Sequence, residues 1–206
     1  MSEDWFTTRL AFVAAARWYG ATTASVEADD WQLVGLGEWT VRDLVGHTSR
    51  SLLTVESYLD GPAGPLDLTT PTAYFRAAMA SIGDPAAVSQ RGVAAGEALG
   101  DRPAEAVAAI ITRVVALIED SDGDDHVATP VGGMRLVDYL PTRTFELTVH
   151  TCDLAVALGG EPSPPAEAAR ASLDVLAGCA VDAGSAAALL LAATGRRGLP
   201  DGFTIL

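Results

Sequence analysis

Three ionisable side chains fall on or beside the apolar stripe of one helix, which we predict at residues 136–158. At about 100° per residue, Arg143, Glu146 and His150 share a face with the leucines that define the stripe. Unpaired ionisable groups on a buried face cost several kcal/mol, so these side chains must pair, reach a water-filled pocket or bind a metal. Glu146 and His150 are four residues apart, the spacing of two metal ligands on adjacent turns.

The spacing also fits simpler structures. A hydrogen bond on the helix surface, or a salt bridge between Arg143 and Glu146, would produce the same pattern. A metal site needs a third ligand, and the two remaining histidines are His47 and His126. We expect His126, which follows two aspartates, to lie in a solvated loop. His47 flanks the apolar stripe of an earlier helix, which is compatible with the interior of a helical bundle.

A carboxylate lies close in sequence to each of the two candidate histidines. Asp43 precedes His47 by one turn, and Asp153 follows His150 by three residues. Either carboxylate could hydrogen-bond the nearby ring and orient it for metal binding. A helix cap or a surface carboxylate would explain each aspartate equally well.

Two histidines and one glutamate form a donor set suited to Zn²⁺, with Ni²⁺ and Fe²⁺ as alternatives. Three protein ligands leave one coordination position open, which is typical of catalytic rather than structural zinc sites. Cys152 does not close the site, because two residues after His150 it points to nearly the opposite side of the helix.

The elements that position these residues are predicted to be helices. Alanine is abundant, β-branched alternation is scarce, and the segments between Gly and Pro residues have a period of about 3.6. In the first helix Trp5, Phe12 and Tyr19 recur at heptad spacing beside Phe6 and Leu10, which predicts one apolar face. The predicted helices cover approximately residues 3–19, 41–59, 72–82, 103–118 and 136–158, with two Ala-rich helical segments in 166–194.

Helix boundaries and loops together predict the fold class. Thr40 followed by Asp43 is a variant of the capping box and predicts the start of the second helix. Four long helices joined by longer loops indicate an all-α, up-and-down four-helix bundle with extra C-terminal helices and a short extended tail at residues 202–206. We expect a bundle domain at residues 1–160 and a helical extension at 161–206, packed together as one compact unit.

Composition excludes several classes of function. The chain has 206 residues, 27 acidic and 13 basic side chains and a net charge of −14, while 49% of its residues are hydrophobic. This is a globular composition, and its charge disfavours nucleic-acid binding. The longest run without a charged residue, 183–195, has 13 residues, fewer than the roughly 18 to 20 of a membrane span. The acidic N-terminus and the two cysteines, expected as free thiols, favour a cytoplasmic protein.

Two segments carry a resemblance to a known family. Residues 38–47 (EWTVRDLVGH) and residues 143–155 (RTFELTVHTCDLA), with the tail at 191–206, resemble the DinB-like superfamily. They are particularly similar to the mycothiol-dependent maleylpyruvate isomerases of actinobacteria. This resemblance implies a four-helix bundle that holds a divalent metal, usually zinc, through His47, Glu146 and His150.

The resemblance also implies the chemistry. The open coordination position would receive a low-molecular-weight thiol, mycothiol, and a coordinated thiol loses its proton and becomes a nucleophile at neutral pH. Adding and then releasing the thiolate isomerises a cis double bond, whereas addition alone makes a thiol conjugate. The chain differs from many relatives at Cys152, where they have Trp, and after residue 160, where the isomerases have a domain that contributes a catalytic Arg.

Several functions follow as hypotheses. The first is a mycothiol-dependent S-transferase or isomerase acting on a small electrophile, with Arg143 as an anion-binding residue or a salt-bridge partner of Glu146. The second is a metal-binding stress or interaction protein without catalysis. A third is a hydrolase that uses metal-bound water, but the sequence offers no separate carboxylate that is clearly its general base. The expected partners are a small thiol and a small electrophile, and a homodimer is compatible with the sequence.

Overall fold

A computed structural model describes residues 3–62, 64–81 and 85–206. The protein is all-α, as predicted, with two small antiparallel hairpins. The helices are α1 (Glu3–Ala24), α2 (Val41–Leu59), α3 (Pro71–Ser81), α4 (Pro85–Ala98), α5 (Pro103–Asp120), α6 (Leu136–Ala157), α7 (Ala166–Asp182) and α8 (Ala186–Ala193). The strands are β1 (Val34–Leu36), β2 (Trp39–Thr40), β3 (His126–Thr129) and β4 (Gly132–Arg135), and a 3-10 turn covers Asp30–Gln32. Ile82, the predicted end of the third helix, lies outside the described residues.

The four longest helices that the sequence predicted form the bundle. Both α1 and α2 pack against α5 and against α6, so each helix of the bundle has two neighbours. Its centre holds large side chains that are fully buried: Phe12, Tyr19, Leu44, Ile118, Tyr139, Leu140 and Leu147. The C-terminal helix α7 covers α1 and α6, and α8 packs on α7. Within the described residues, every helix is too short or too polar to cross a bilayer.

The first helix is longer and its apolar face narrower than predicted. It extends to Ala24, and Trp5, Phe12 and Tyr19 are buried as expected. Phe6 and Leu10 are 50% and 44% exposed, so they lie at the solvent side of the helix rather than in the core.

The start of α2 is set by the predicted capping box. The Asp43 amide donates to Thr40 Oγ1 at 3.2 Å, and Thr40 N donates to Asp43 Oδ2 at 3.0 Å. This reciprocal pair satisfies backbone donors that the first turn leaves free. It fixes the first residue of α2 and therefore the face on which His47 lies, two turns into the helix.

The Gly- and Ala-rich stretch after α3, for which the sequence predicted no clear element, contains the helix α4. A Cβ atom on Gly46 would lie 2.1 Å from the Gly96 amide nitrogen, so the backbones of α2 and α4 are in direct contact there. Trp39 Nε1 donates to the Ser89 carbonyl at 3.1 Å, which joins the start of α2 to α4. Small residues therefore pack α4 closely against the helix that carries His47.

The β3–β4 hairpin leads directly into α6 and was not predicted. Its register pairs Val127 with Met134, both fully buried. The first amides of α6 are satisfied by the preceding loop, because Leu136 N donates to the Asp125 carbonyl at 2.8 Å and Val137 N to the Gly123 carbonyl at 2.9 Å. These bonds position the helix that carries the other two candidate ligands.

Candidate metal centre

The adjacent helices α2 and α6 bring His47, Glu146 and His150 together. One potential ligand atom of each residue lies within 4.8 Å of the corresponding atoms of the other two. The His150 Nε2 atom is 3.3 Å from Glu146 Oε2, and the rings of His47 and His150 meet edge to face with centroids 5.0 Å apart. This is a compact group of two imidazoles and one carboxylate, the donor set of a three-ligand divalent metal site.

The burial of the group fits a metal ion. The Glu146 and His150 side chains are 24% and 16% exposed, so solvent reaches one side of the cluster. The Nδ1 atom of His47 is buried, and within the described part of the chain it has no hydrogen-bond partner. A buried polar atom without a partner lowers the stability of the fold. A metal ion bound to the His47 ring would give the ring a polar partner that it otherwise lacks.

The electrostatics leave His47 neutral at physiological pH. Burial lowers the pKa of His47 to about 4, assisted by the charges of His150, Arg50 and Arg143 and opposed by Glu146. A neutral imidazole has a lone pair on one ring nitrogen, which is what a metal ligand requires.

His150 and Glu146 form a charged pair in the absence of a metal. Burial acts to lower the pKa of His150, but hydrogen bonds with Asp153 and Glu146 outweigh it and raise the pKa to about 9. Burial acts to raise the pKa of Glu146. The hydrogen bond with His150 and the charge of Arg143 outweigh burial and keep the pKa of this carboxyl below its usual value. A metal ion at this position would therefore replace a proton on His150.

The two predicted orienting aspartates have different surroundings. Asp153 Oδ2 lies 3.1 Å from His150 Nδ1, on the side of the ring away from Glu146. Asp43 instead directs its Oδ2 atom to the Thr40 amide and hydroxyl in the cap of α2. Asp153 thus holds the ring of a candidate ligand, whereas Asp43 belongs to the cap of α2, the alternative role predicted for it.

Arg143 is a buried cation beside the candidate ligands. It is 9% exposed, and its guanidinium carbon lies 5.2 Å from the ring centroids of both Tyr74 and Tyr139. Its Nε atom donates to Thr142 Oγ1 at 3.0 Å. In the part of the chain that the structure describes, no salt bridge joins it to Glu146, so aromatic rings take the place of the carboxylate partner considered from the sequence.

The three candidate ligands line a cavity of about 370 Å³. α2 contributes His47, Arg50, Thr54 and Tyr58 to its wall, at helical spacing along one face. Arg50 and Tyr58 were not predicted from the sequence, although their spacing of three and eleven residues from His47 places them on the same side of the helix. α3 and the tail close the cavity with Tyr74, Phe75, Met79 and Leu206.

The segment that carries this site matches a known protein family. Residues 12–155 match the model of the mycothiol maleylpyruvate isomerase N-terminal domain. The chain belongs to this family. The match covers more than half of the chain and includes all three candidate ligands. Comparison with curated proteins and with solved structures found no significant match.

In this member of the mycothiol maleylpyruvate isomerase N-terminal domain family, two other candidates lie away from the ligand group. His126 is a partly buried residue of β3 rather than a solvated loop residue, and its Nε2 accepts a hydrogen bond from the Gly64 amide at 3.2 Å. Cys152 is a free thiol whose pKa is raised by burial and by the charge of Asp153. Neither residue belongs to the cluster of His47, Glu146 and His150.

Proposed function

We propose that the protein binds one divalent metal ion, zinc, through His47, Glu146 and His150 and uses it to activate mycothiol for reaction with a small electrophile. The observation that carries the proposal is the meeting of three ligand atoms within 4.8 Å at the wall of a cavity. The nitrogen and oxygen donors suit Zn²⁺, and Ni²⁺ and Fe²⁺ accept the same set. The family, whose name includes mycothiol and an isomerase, supports the choice of thiol.

When bound, the ion supplies Lewis acidity that lowers the pKa of a coordinated thiol. The protein's part is to offer three ligands and leave a fourth position open to the cavity. His47 contributes a neutral imidazole, Glu146 a carboxylate, and Asp153 keeps the His150 ring turned toward Glu146.

The cavity has room for a small electrophile and for the thiol end of mycothiol beside the candidate ligands. Its volume of about 370 Å³ lies at the lower end of the range for small-molecule sites. Phe75, Met79 and Phe145 give it apolar walls beside the candidate ligands.

Two reactions are compatible with this arrangement. In a conjugation, the thiolate sulfur forms a bond to an electrophilic carbon, and either a leaving group departs or a proton adds to the neighbouring carbon. In an isomerisation, the same sulfur–carbon bond forms at a cis double bond, rotation occurs about the resulting single bond, and elimination of the thiolate restores a trans double bond with no net change in composition. The family name favours the second reaction, and both use the same site.

The test offers zinc-loaded protein mycothiol together with monochlorobimane, and separately with a cis-configured unsaturated keto acid. We expect fluorescent conjugate or trans product at a rate above the uncatalysed background. Glu146→Gln removes the anionic ligand and is expected to abolish the excess rate, while Cys152→Ser, which changes a thiol outside the cluster, is expected to retain it. Zinc-loaded protein that shows no excess rate with several electrophiles would instead support a non-catalytic metal-binding protein.

A further inference from the structure

Two guanidinium groups line the same cavity as the candidate ligands. Arg50 follows His47 by three residues on α2, and Arg143 precedes Glu146 by three residues on α6. The protein as a whole has a net charge of −14. Of the described side chains that line this cavity, Glu146 alone is acidic, and it is paired with His150. The cavity is therefore a locally cationic pocket in an acidic protein.

Arg143 has donors left without acceptors. It is 9% exposed, and among the residues that the structure describes its hydrogen bond uses Nε, while no acceptor meets its two terminal nitrogens. The rings of Tyr74 and Tyr139 flank the guanidinium and stabilise its charge through their faces, but they offer no acceptor to its edge. A largely buried guanidinium whose terminal donors open on the cavity offers an anion there a charge-assisted, partly desolvated site.

Arg50 adds a second cation at the same wall. Among the described residues, 3–62, 64–81 and 85–206, no ion pair or hydrogen bond involves its guanidinium. Its charge nevertheless reaches the cavity, because it acts with Arg143 on the pKa of Tyr58, which burial raises and the two arginines lower. The hydroxyls of Tyr58 and Thr54 lie along the same wall and are further donors.

We infer that Arg50 and Arg143 form a subsite for a carboxylate carried by a small molecule that enters the cavity. The planar guanidinium fork matches the two oxygens of a carboxylate, and desolvation by the tyrosines strengthens the interaction. This inference rests on the proposed function in one respect, which is that the bound molecule then reacts beside the metal. The carboxylate belongs either to the electrophile or to the thiol, and the experiment separates these sources.

The first measurement uses the metal-free protein, so that a carboxylate has no metal to bind. Titration calorimetry compares fumarate with fumaramide, which has the same shape and no charge. We expect fumarate to bind about tenfold more tightly or better, as charge-assisted hydrogen bonds imply. Arg50→Met and Arg143→Lys are expected to reduce this preference about tenfold, whereas Arg170→Met, which removes an exposed charge from α7, leaves it unchanged.

The second measurement uses zinc-loaded protein with 3-mercaptopropionate and its amide. An arginine-dependent preference for fumarate alone assigns the carboxylate to the electrophile, and one for the mercaptopropionate alone assigns it to the thiol. Equal binding within both pairs, or an equal loss of preference in Arg50→Met and Arg170→Met, would overturn the inference. If Arg143→Lys fails to fold, Arg50→Met, at a partly exposed position, decides the result. Zinc content, measured separately, tests the proposed function independently of this subsite.

Discussion

His47 and His150 meet edge to face across the interface between α2 and α6, with ring centroids 5.0 Å apart and ring planes at 85°. Each ring also has a second neighbour. The Trp39 ring lies 4.5 Å from that of His47 and is itself bonded to α4, while Asp153 holds His150 from within α6. The relative position of the two imidazoles therefore depends on the packing of α2, α4 and α6 rather than on any single helix.

Asp153 is expected to control zinc affinity through His150. Asp153→Asn removes the negative charge that stabilises the ring in its ligating orientation, and we expect the zinc dissociation constant to rise about tenfold to a hundredfold. Competition with a chromogenic chelator measures the constant beyond pH 9, where the metal-free His150 ring is neutral in both proteins and proton competition does not offset the effect. An affinity equal to that of the unmodified protein would show that the hydrogen bond does not serve metal binding.

Asp43 provides the matched control, because it is a carboxylate at the same distance in sequence from a candidate ligand but is engaged in the α2 cap. Asp43→Ala is expected to lower the free energy of unfolding by about 0.5 to 2 kcal/mol, as the loss of a helix cap does. Its zinc affinity should remain within about twofold of the unmodified protein under conditions where both are folded.

Zinc uptake is expected to release a proton from His150. The pKa of this residue is raised to about 9 by Asp153 and Glu146 against the effect of burial, so the metal-free ring is protonated at pH 7.5 and must lose its proton to bind zinc. Calorimetry in buffers of different ionisation enthalpy counts the released protons. The count should fall by about one as the pH rises from 7.5 to beyond 9, since the metal-free ring is then already neutral.

Asp153→Asn separates this proton from any released by metal-bound water. The variant loses the hydrogen bond to a carboxylate that raises the pKa of His150, so at pH 7.5 it should release fewer protons than the unmodified protein. Identical counts in the two proteins across this pH range would mean that His150 does not exchange a proton for the metal.

Gly46 is expected to be intolerant of a side chain. A Cβ atom there would lie 2.1 Å from Gly96 N and 2.4 Å from Gly96 Cα, and backbone atoms of a packed helix cannot move aside cheaply. We expect Gly46→Ala to destabilise the protein by about 2 kcal/mol in chemical unfolding, despite the better helix propensity of alanine. Gly198→Ala, with open space around its Cβ, should change stability by less than about 0.5 kcal/mol. Equal stability of the two variants would contradict the close packing of α2 on α4.

The parts of the fold that the sequence predicted are those with strong local signals. The start of α2 followed from Thr40 and Asp43, whose side chains act within one turn. The meeting of Glu146 and His150 followed from their four-residue spacing on α6, because helix geometry alone places them together. The position of His47 beside this pair depends on the packing of α2 against α6, which helical periodicity does not predict. The resemblance of residues 38–47 to a known family is what predicted His47 as a third ligand.

The parts that were missed depend on contacts between distant segments. The helix α4 has little apolar periodicity, because glycine and alanine form its contact with α2. The β3–β4 hairpin consists of strands of four residues with glycines in the second, too short for alternation to be visible. Phe6 and Leu10 were predicted on the apolar face because they lie beside the heptad positions, but the helices packed on α1 leave both residues exposed.

The central claim is that His47, Glu146 and His150 together hold one divalent metal ion. The most direct measurement is the metal content of purified protein after zinc loading and dialysis, compared with that of His47→Ala and of His126→Ala. We predict one zinc per chain for the unmodified protein and for His126→Ala, since His126 lies in the β3–β4 hairpin outside the cluster. His47→Ala should retain less than a tenth of this amount while still folded, and one zinc per chain in His47→Ala would contradict the three-ligand site.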